Sequence, residues 1–169
     1  MRHNSHMKVL TRYQMRMAWP DQDEGLIGRL KIMCWREAYP GILPQPILDG
    51  LDIRRSTLEW IQALRCGIAW IAEQSGASVG FAHSSGDEVT TLYVRKTDHR
   101  QGVGAELLRH CFDEIACLGH DDAHLWVLEE NHPARRFYER MGGKQMGRRS
   151  VGFRQYPRIM EVRYDFKLD

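Results

Sequence analysis

Two glycines, Gly102 and Gly104, stand one residue apart at the point where a strand-like run gives way to a helix-like run. The first amides of a helix have no partner within the helix, and the aligned peptide dipoles favour an anion there. Because glycine has no Cβ, phosphate oxygens could approach the backbone of such a turn closely. Taken alone, however, two glycines favour a tight strand-to-helix connection over a phosphate site.

A second group of residues with chemical potential follows in segment 123–143. It begins with a compact apolar run, 123–128, and continues with Asn131 and a helical pattern around Tyr138. A phenol can donate a proton to a leaving group, although the spacing of Tyr138 alone is more typical of packing in an amphipathic helix. Asn131 precedes Pro133, where it suits the cap of a helix.

Together the two segments resemble the acetyl-CoA binding core of the GCN5-related N-acetyltransferases. The glycine turn of that family reads Q/R-x-x-G-x-G/A, and the sequence from His99 to Gly104 follows it except that His99 replaces the first residue. The second family pattern, N-x-x-A-x-x-F-Y-x-x-x-G-F/G, is met by Asn131, Ala134, Phe137, Tyr138 and Gly142. Residues 88–143 carry the resemblance, which extends more weakly over residues 9–166.

The resemblance implies where acetyl-CoA binds. Its pyrophosphate is expected at the glycine turn, and its pantetheine arm between strands 88–95 and 123–128, which splay apart. A β-bulge near Tyr93 would point an amide at the thioester carbonyl. The residues expected to bind acetyl-CoA are Leu92, Tyr93, Val94, His99, Arg100, Gln101, Gly102, Val103, Gly104, Ala105, Asn131, Ala134 and Phe137. No metal is expected.

The same resemblance assigns the catalytic roles. Tyr138 is expected to act as the general acid that protonates the departing thiolate, and Glu88 is the candidate base for the amine. Glu88 is equally well interpreted as a solvated acid at a strand end beside Asp87. The amine attacks the acetyl group directly, without a covalent enzyme intermediate. The alternative is a CoA-binding sensor or partner module with little catalysis.

The sequence does not identify the amine that accepts the acetyl group. A small amine, an amino acid or antibiotic, and a protein N-terminus or lysine are all compatible with the sequence. Glu37, Tyr39 and Asp49 could meet a cationic amine, although solvated helix faces explain such residues equally well. Homodimers are common among similar enzymes, so a homodimer is a further possibility.

Hydrophobic periodicity predicts the elements that position these residues. Helices lie among strands, so the fold class is α/β (α+β) with a mixed sheet. The resemblance implies that this central sheet is mostly antiparallel and that its central strands splay and are flanked by helices. Strands are predicted at 11–17, 67–73, 78–83, 88–95, 123–128, 144–153 and 159–166. Helices are predicted after an Asp21 cap up to Tyr39, in one broken or two short pieces over 46–64, and at 102–118 and 133–141.

Composition narrows the alternatives. The chain has 24 basic and 22 acidic side chains, so its net charge of +2 gives no broad field for a polyanion or a membrane surface. Nucleic-acid binding through Arg148, Arg149, Arg154 and Arg158 is therefore less favoured than a solvated face. No apolar stretch reaches the roughly 20 residues that span a bilayer, and we expect a cytoplasmic protein.

The remaining expectations concern domain limits and thiols. Residues 1–6 are interpreted as a cloning scar, and residues 7–169 as a single domain. The four cysteines, Cys34, Cys66, Cys111 and Cys117, are interpreted as free buried thiols, because none of them lies in a close pair or a zinc-like cluster. The tryptophans Trp35, Trp60 and Trp70 are expected to anchor the core.

Overall fold

Seven strands and five α-helices are distributed along residues 13–168, the part of the chain that the computed structural model describes. The strands are β1 (Gln14–Met17), β2 (Ile68–Gln74), β3 (Ala77–Ser85), β4 (Glu88–Val94), β5 (Asp122–Leu128), β6 (Lys144–Ser150) and β7 (Met160–Lys167). The helices are α1 (Glu24–Ala38), α2 (Gln45–Asp49), α3 (Ile53–Cys66), α4 (Val103–Cys117) and α5 (His132–Arg140). The predicted elements are confirmed, and the 46–64 region forms two helices. The predicted start of the first strand and residues 1–6 lie outside the described residues.

The strands form one sheet in the order β1-β2-β3-β4-β5-β7-β6. Its pairs are antiparallel except for β4 and β5, which are parallel. Only Glu88 and His124 pair between these two strands, whereas β5 and β7 pair along their whole length. The central strands therefore part beyond Glu88, which confirms the predicted mixed sheet with splayed central strands.

Helices cover the sheet on both faces. In α4, the buried residues Val103, Leu107, Leu108, Cys111 and Ile115 recur at helical spacing and pack in one core with Val162, Tyr164 and Phe166 of β7. On the opposite face, α1 and α3 pack against each other and against Ile71 and Phe81. The opening between β4 and β5 is therefore bordered by helices from both faces.

The start of α1 differs from the prediction. Its N-cap position is Asp23, not Asp21. The Asp23 carboxylate receives two hydrogen bonds from Arg16, at 2.8 and 2.9 Å, and a third from the Trp19 amide at 2.8 Å. Asp21 instead occupies the preceding turn with a left-handed backbone (φ 66°). The ion pair with the β1 side chain fixes where this helix begins.

The prediction that all the cysteines are buried is wrong for two of them. All of them are free thiols, with Cys34 and Cys111 buried but Cys66 and Cys117 exposed. The exposed pair forms the last residues of α3 and α4, where the helix ends turn toward solvent. Trp60 is buried, whereas Trp35 and Trp70 are half-buried. Over residues 13–168, none of the helices is both long and apolar enough to cross a bilayer.

Candidate functional site

The opening between β4 and β5 is the main candidate site. Residues 91–94 belong to the middle strand of the sheet, yet all are only half-buried. The reason is that the edge of β4 that faces β5 has no paired strand beyond Glu88. Unpaired backbone groups at a strand edge can pair with an extended ligand. Leu92, Tyr93 and Val94 thus lie where the sequence predicted a bound arm.

A β-bulge does interrupt β4, but not at the predicted position near Tyr93. His83 pairs with Thr91 and Ser84 pairs with Val89, which leaves Thr90 as the extra residue. The His83 ring holds this bulge: Nε2 donates to the Ala63 carbonyl at 3.0 Å, so Nδ1 accepts from the Thr90 hydroxyl at 2.6 Å. The bulge is at Thr90, three residues before Tyr93, because the His83 ring binds the Thr90 hydroxyl.

The glycine turn has the conformation that the sequence predicted. Gly102 is the N-cap of α4 with a left-handed backbone (φ 87°), and Arg100 also has a positive φ (59°). The first bond of the helix runs from the Glu106 amide to the Gly102 carbonyl at 3.0 Å. The amides of Val103, Gly104 and Ala105 therefore have no partner within α4. This end of the helix fits a phosphate group.

The side chains of the turn stabilise the loop itself. The His99 Nε2 donates to the Val94 carbonyl at 2.8 Å. Gln101 accepts from the Tyr13 hydroxyl at 2.6 Å and donates to the Thr97 carbonyl at 3.1 Å. Arg100 is exposed at the same turn. The side chains of His99 and Gln101 thus stabilise the loop conformation, whereas the exposed Arg100 side chain can bind an anion.

Tyr138 lies beside this opening and is buried. Burial raises the pKa of its phenol, so the hydroxyl keeps its proton at neutral pH. No residue in the described range 13–168 forms a hydrogen bond with that hydroxyl. Asn131 caps α5, with its side-chain oxygen accepting from the Ala134 amide at 3.3 Å. Phe137 packs against Tyr138, with ring centroids 5.2 Å apart.

The sequence did not predict the pair formed by Tyr39 and Tyr93, whose hydroxyl oxygens lie 2.9 Å apart. Tyr39 follows α1 and Tyr93 lies on β4, on the face opposite Tyr138. Burial raises the pKa of both phenols; Tyr138 adds to the rise in the pKa of Tyr93, and Tyr39 adds to the rise in the pKa of Tyr138. Groups on opposite faces interact because no strand fills the opening. The only sequence signal was the position of Tyr39 in the acceptor-side segment.

The comparisons with known proteins agree on one family. A sequence profile for the acetyltransferase (GNAT) domain matches residues 65–142, which include β2–β5, the glycine turn and Tyr138. A probable N-acetyltransferase of Mycobacterium tuberculosis is 33% identical over 117 residues, 63% of this chain and 66% of the relative. This chain belongs to the GCN5-related N-acetyltransferase (GNAT) family.

Solved GNAT structures share the fold. A GCN5-related N-acetyltransferase from Rhodopseudomonas palustris superposes with a TM-score of 0.78 at 18% identity, covering 92% of this chain and 95% of its own. The PaiA N-acetyltransferase from Thermoplasma acidophilum, solved in complex with coenzyme A, gives a TM-score of 0.75 at 16% identity, covering 91% and 99%. These likenesses confirm the fold that the splayed sheet had indicated.

The structure places Glu88 of this GNAT domain at the closed end of the opening. Its carboxylate lies 3.7 Å from Nε2 of His124, whose Nδ1 lies 3.3 Å from the Asp87 carboxylate. At about 3.3 Å per residue, Leu92 is about 13 Å farther along the strand. Within residues 13–168 no contact joins Glu88 to Tyr138, and one bridging water molecule could not span the distance from Glu88 to Leu92.

Two of the residues predicted to bind the amine acceptor, Glu37 and Asp49, form hydrogen bonds away from the opening. The Glu37 carboxylate accepts from the Lys96 amide at 2.8 Å, which fixes the short 3-10 turn after β4. Asp49 accepts from Gln45 at 2.8 Å and faces a surface pocket beside Arg36. Only Tyr39 reaches the opening, through its bond to Tyr93. A surface pocket formed by Ile42, the end of β5 and residues 158–160 lies next to this pair.

Proposed function

We propose that this protein transfers an acetyl group from acetyl-CoA to a primary amine. The observation that supports this most is the opening between β4 and β5, which has the glycine turn at one end and the buried Tyr138 beside it. The bound coenzyme A in the PaiA structure supports the same ligand for this chain. The family supports acetyl transfer as the reaction class.

The residues present suit acetyl-CoA along its length. The free amides of Val103, Gly104 and Ala105 would hold the pyrophosphate, with Arg100 beside them. The open edge of β4 at 92–94 would pair with the amides of the pantetheine arm. Asn131, Ala134 and Phe137 would border the arm from α5. When bound, acetyl-CoA supplies a thioester carbon that an amine can attack.

Tyr138 would donate the proton that the thiolate needs. Its raised pKa keeps the phenol protonated, and its hydroxyl has no competing acceptor within residues 13–168. The thioester and the amine would approach from opposite faces of the sheet. The glycine turn and α5 border one face, and the other is bordered by Tyr39, Tyr93 and the pocket at Ile42. Holding the thioester and the amine in one opening favours direct attack.

Glu88 would serve as the base through a chain of water molecules that starts at the closed end of the opening. Its contact with His124 supports the competing interpretation, a structural acid. If Glu88 is the base, E88Q slows turnover most at low pH, where more of the amine is protonated. The neighbouring D87N variant is the matched control, because it removes an adjacent charge. A pH profile of E88Q that matches the wild type refutes the role.

The proposed function is tested by calorimetric titration with acetyl-CoA, followed by a thiol-release assay across primary amines. We expect saturable binding of one acetyl-CoA per chain and amine-dependent release of thiol. Binding without thiol release for any amine would support the alternative of a CoA-binding module. Absence of binding would refute both.

A further inference from the structure

A small pocket opens beside the Tyr39 and Tyr93 pair, on the face opposite the glycine turn. Four apolar side chains line it: Ile42, Leu128, Ile159 and Met160. Ile42, Leu128 and Ile159 pack in the same cluster as the two tyrosines, so the pocket adjoins the opening between β4 and β5. An amine held here faces the opening from the side that acetyl-CoA does not use.

The size of the pocket limits what it can hold. Its cavity volume is about 180 Å³. Pockets for drug-sized ligands occupy about 300–1,000 Å³. The pocket therefore suits a group smaller than a drug-sized ligand, with an apolar part that contacts Ile42 and Ile159.

The charges at the rim of the pocket are not all neutralised. Glu129 is paired with Arg148 by two hydrogen bonds of 2.8 and 2.7 Å. Glu130 is exposed, and within residues 13–168 its carboxylate has one charged neighbour, His132, at 3.6 Å. Arg158 forms no ion pair with any residue between 13 and 168. The rim therefore presents one uncommitted guanidinium, which binds carboxylates well.

We infer that the acceptor is a small α-amino acid with an aliphatic side chain. This inference rests on the proposed function. Arg158 holds the carboxylate, and Ile42, Leu128 and Ile159 contact the side chain. The exposed carboxylate of Glu130 attracts the ammonium form to the rim. The amine then points toward Tyr93 and the opening.

The transfer balances in atoms and protons. The α-nitrogen forms a bond to the acetyl carbon while the carbon–sulfur bond breaks. Starting from the ammonium form, the nitrogen loses two protons to water, the sulfur gains one from Tyr138, and the phenol recovers its proton from water, so that one proton is released overall. The products are an N-acetyl amino acid and free CoA.

Thiol release with three matched amines tests this inference on the full chain with saturating acetyl-CoA. Leucine carries the carboxylate, leucinamide replaces it by a neutral amide, and 3-methylbutylamine lacks it. We expect kcat/KM for leucine to exceed that for the other two by about tenfold or more, as for a lost charge-assisted hydrogen bond. Equal kcat/KM values for the three amines would overturn the inference and leave the proposed function intact.

Two arginine variants locate the carboxylate site. R158A is expected to raise the KM for leucine about tenfold, with little change for 3-methylbutylamine. R154A is the matched control, because Arg154 is exposed in the same β6–β7 connection but does not line the pocket. Equal effects of R158A and R154A would overturn the assignment. Failure of every amine to release thiol would overturn the proposed function as well.

Discussion

At the scale of single residues, burial and hydrogen bonding distinguish the tyrosine that could donate a proton from the other tyrosines near the opening. Tyr138 is buried, protonated and without a hydrogen-bond partner in the described chain, whereas Tyr39 and Tyr93 satisfy each other. Asn131 has a structural role that spacing alone had indicated, as the cap of α5. Of the two proposed catalytic residues, Tyr138 thus has the stronger structural support.

Replacing Tyr138 by phenylalanine isolates the proton donor. Y138F is expected to lower kcat by about 100-fold, as for loss of a general acid. The Kd for acetyl-CoA and the thermal stability should stay close to the wild type, because the ring and its packing against Phe137 are retained. The same change at Tyr156, in the β6–β7 connection, is the control. Full turnover of Y138F with normal acetyl-CoA binding would exclude the role.

At the scale of elements, the strand, glycine turn and helix from β4 to α4 form the proposed phosphate site. The two glycines differ in what they require. Gly102 has a left-handed backbone, which costs an L-residue about 1–2 kcal/mol. Gly104 has no such backbone, and a Cβ there would lie 3.5 Å from Phe137, an ordinary contact.

The variants G102A and G104A are therefore a matched pair. G102A is expected to raise the Kd for acetyl-CoA about tenfold and to lower the free energy of unfolding by about 1 kcal/mol. G104A should change neither quantity. Calorimetric titration and urea unfolding measure the two effects. A Kd of G102A equal to that of the wild type would mean that the turn does not hold the phosphates.

His83 links three elements, because its ring bonds β3 to α3 and to the bulge in β4. Burial lowers its pKa, so the unfolded chain takes up a proton below about pH 6.5 that the folded chain resists. The contribution of His83 to stability is therefore complete above about pH 6.5 and falls as the pH drops below it.

The variant H83Q tests this pH dependence by urea unfolding at pH 8 and pH 5.5. A glutamine amide can still donate to Ala63, but it does not titrate. We expect the wild type to lose more stability than H83Q over this interval. Identical losses would show that His83 does not titrate differently in the folded and unfolded chains.

Much of this arrangement was predictable from the sequence, because it depends on local patterns. Neighbouring residues determine both the glycine turn and the helical spacing of the buried side chains in α4, which are Leu107, Leu108, Cys111 and Ile115. The bulge at Thr90 was misplaced because a histidine and a helix carbonyl distant in sequence fix it. The Tyr39 and Tyr93 pair was missed for the same reason, since only tertiary packing brings together residues 54 positions apart.

At the scale of the whole molecule, the parted sheet gives each of the two proposed reactants a face of its own. The glycine turn and α5 border one face, and the pocket beside Tyr39 and Tyr93 borders the other. Of the arginines Arg148, Arg149, Arg154 and Arg158, the first two are paired with Glu129 and Glu161. Arg158 alone among them lines the pocket.

Amide hydrogen exchange with and without acetyl-CoA tests most directly whether the opening holds the thioester. We predict that binding slows exchange in the peptides that contain residues 92–94 and 102–105, while β1 and β6 exchange as before. Saturable binding that leaves both segments unprotected, or no binding at all, would contradict the account.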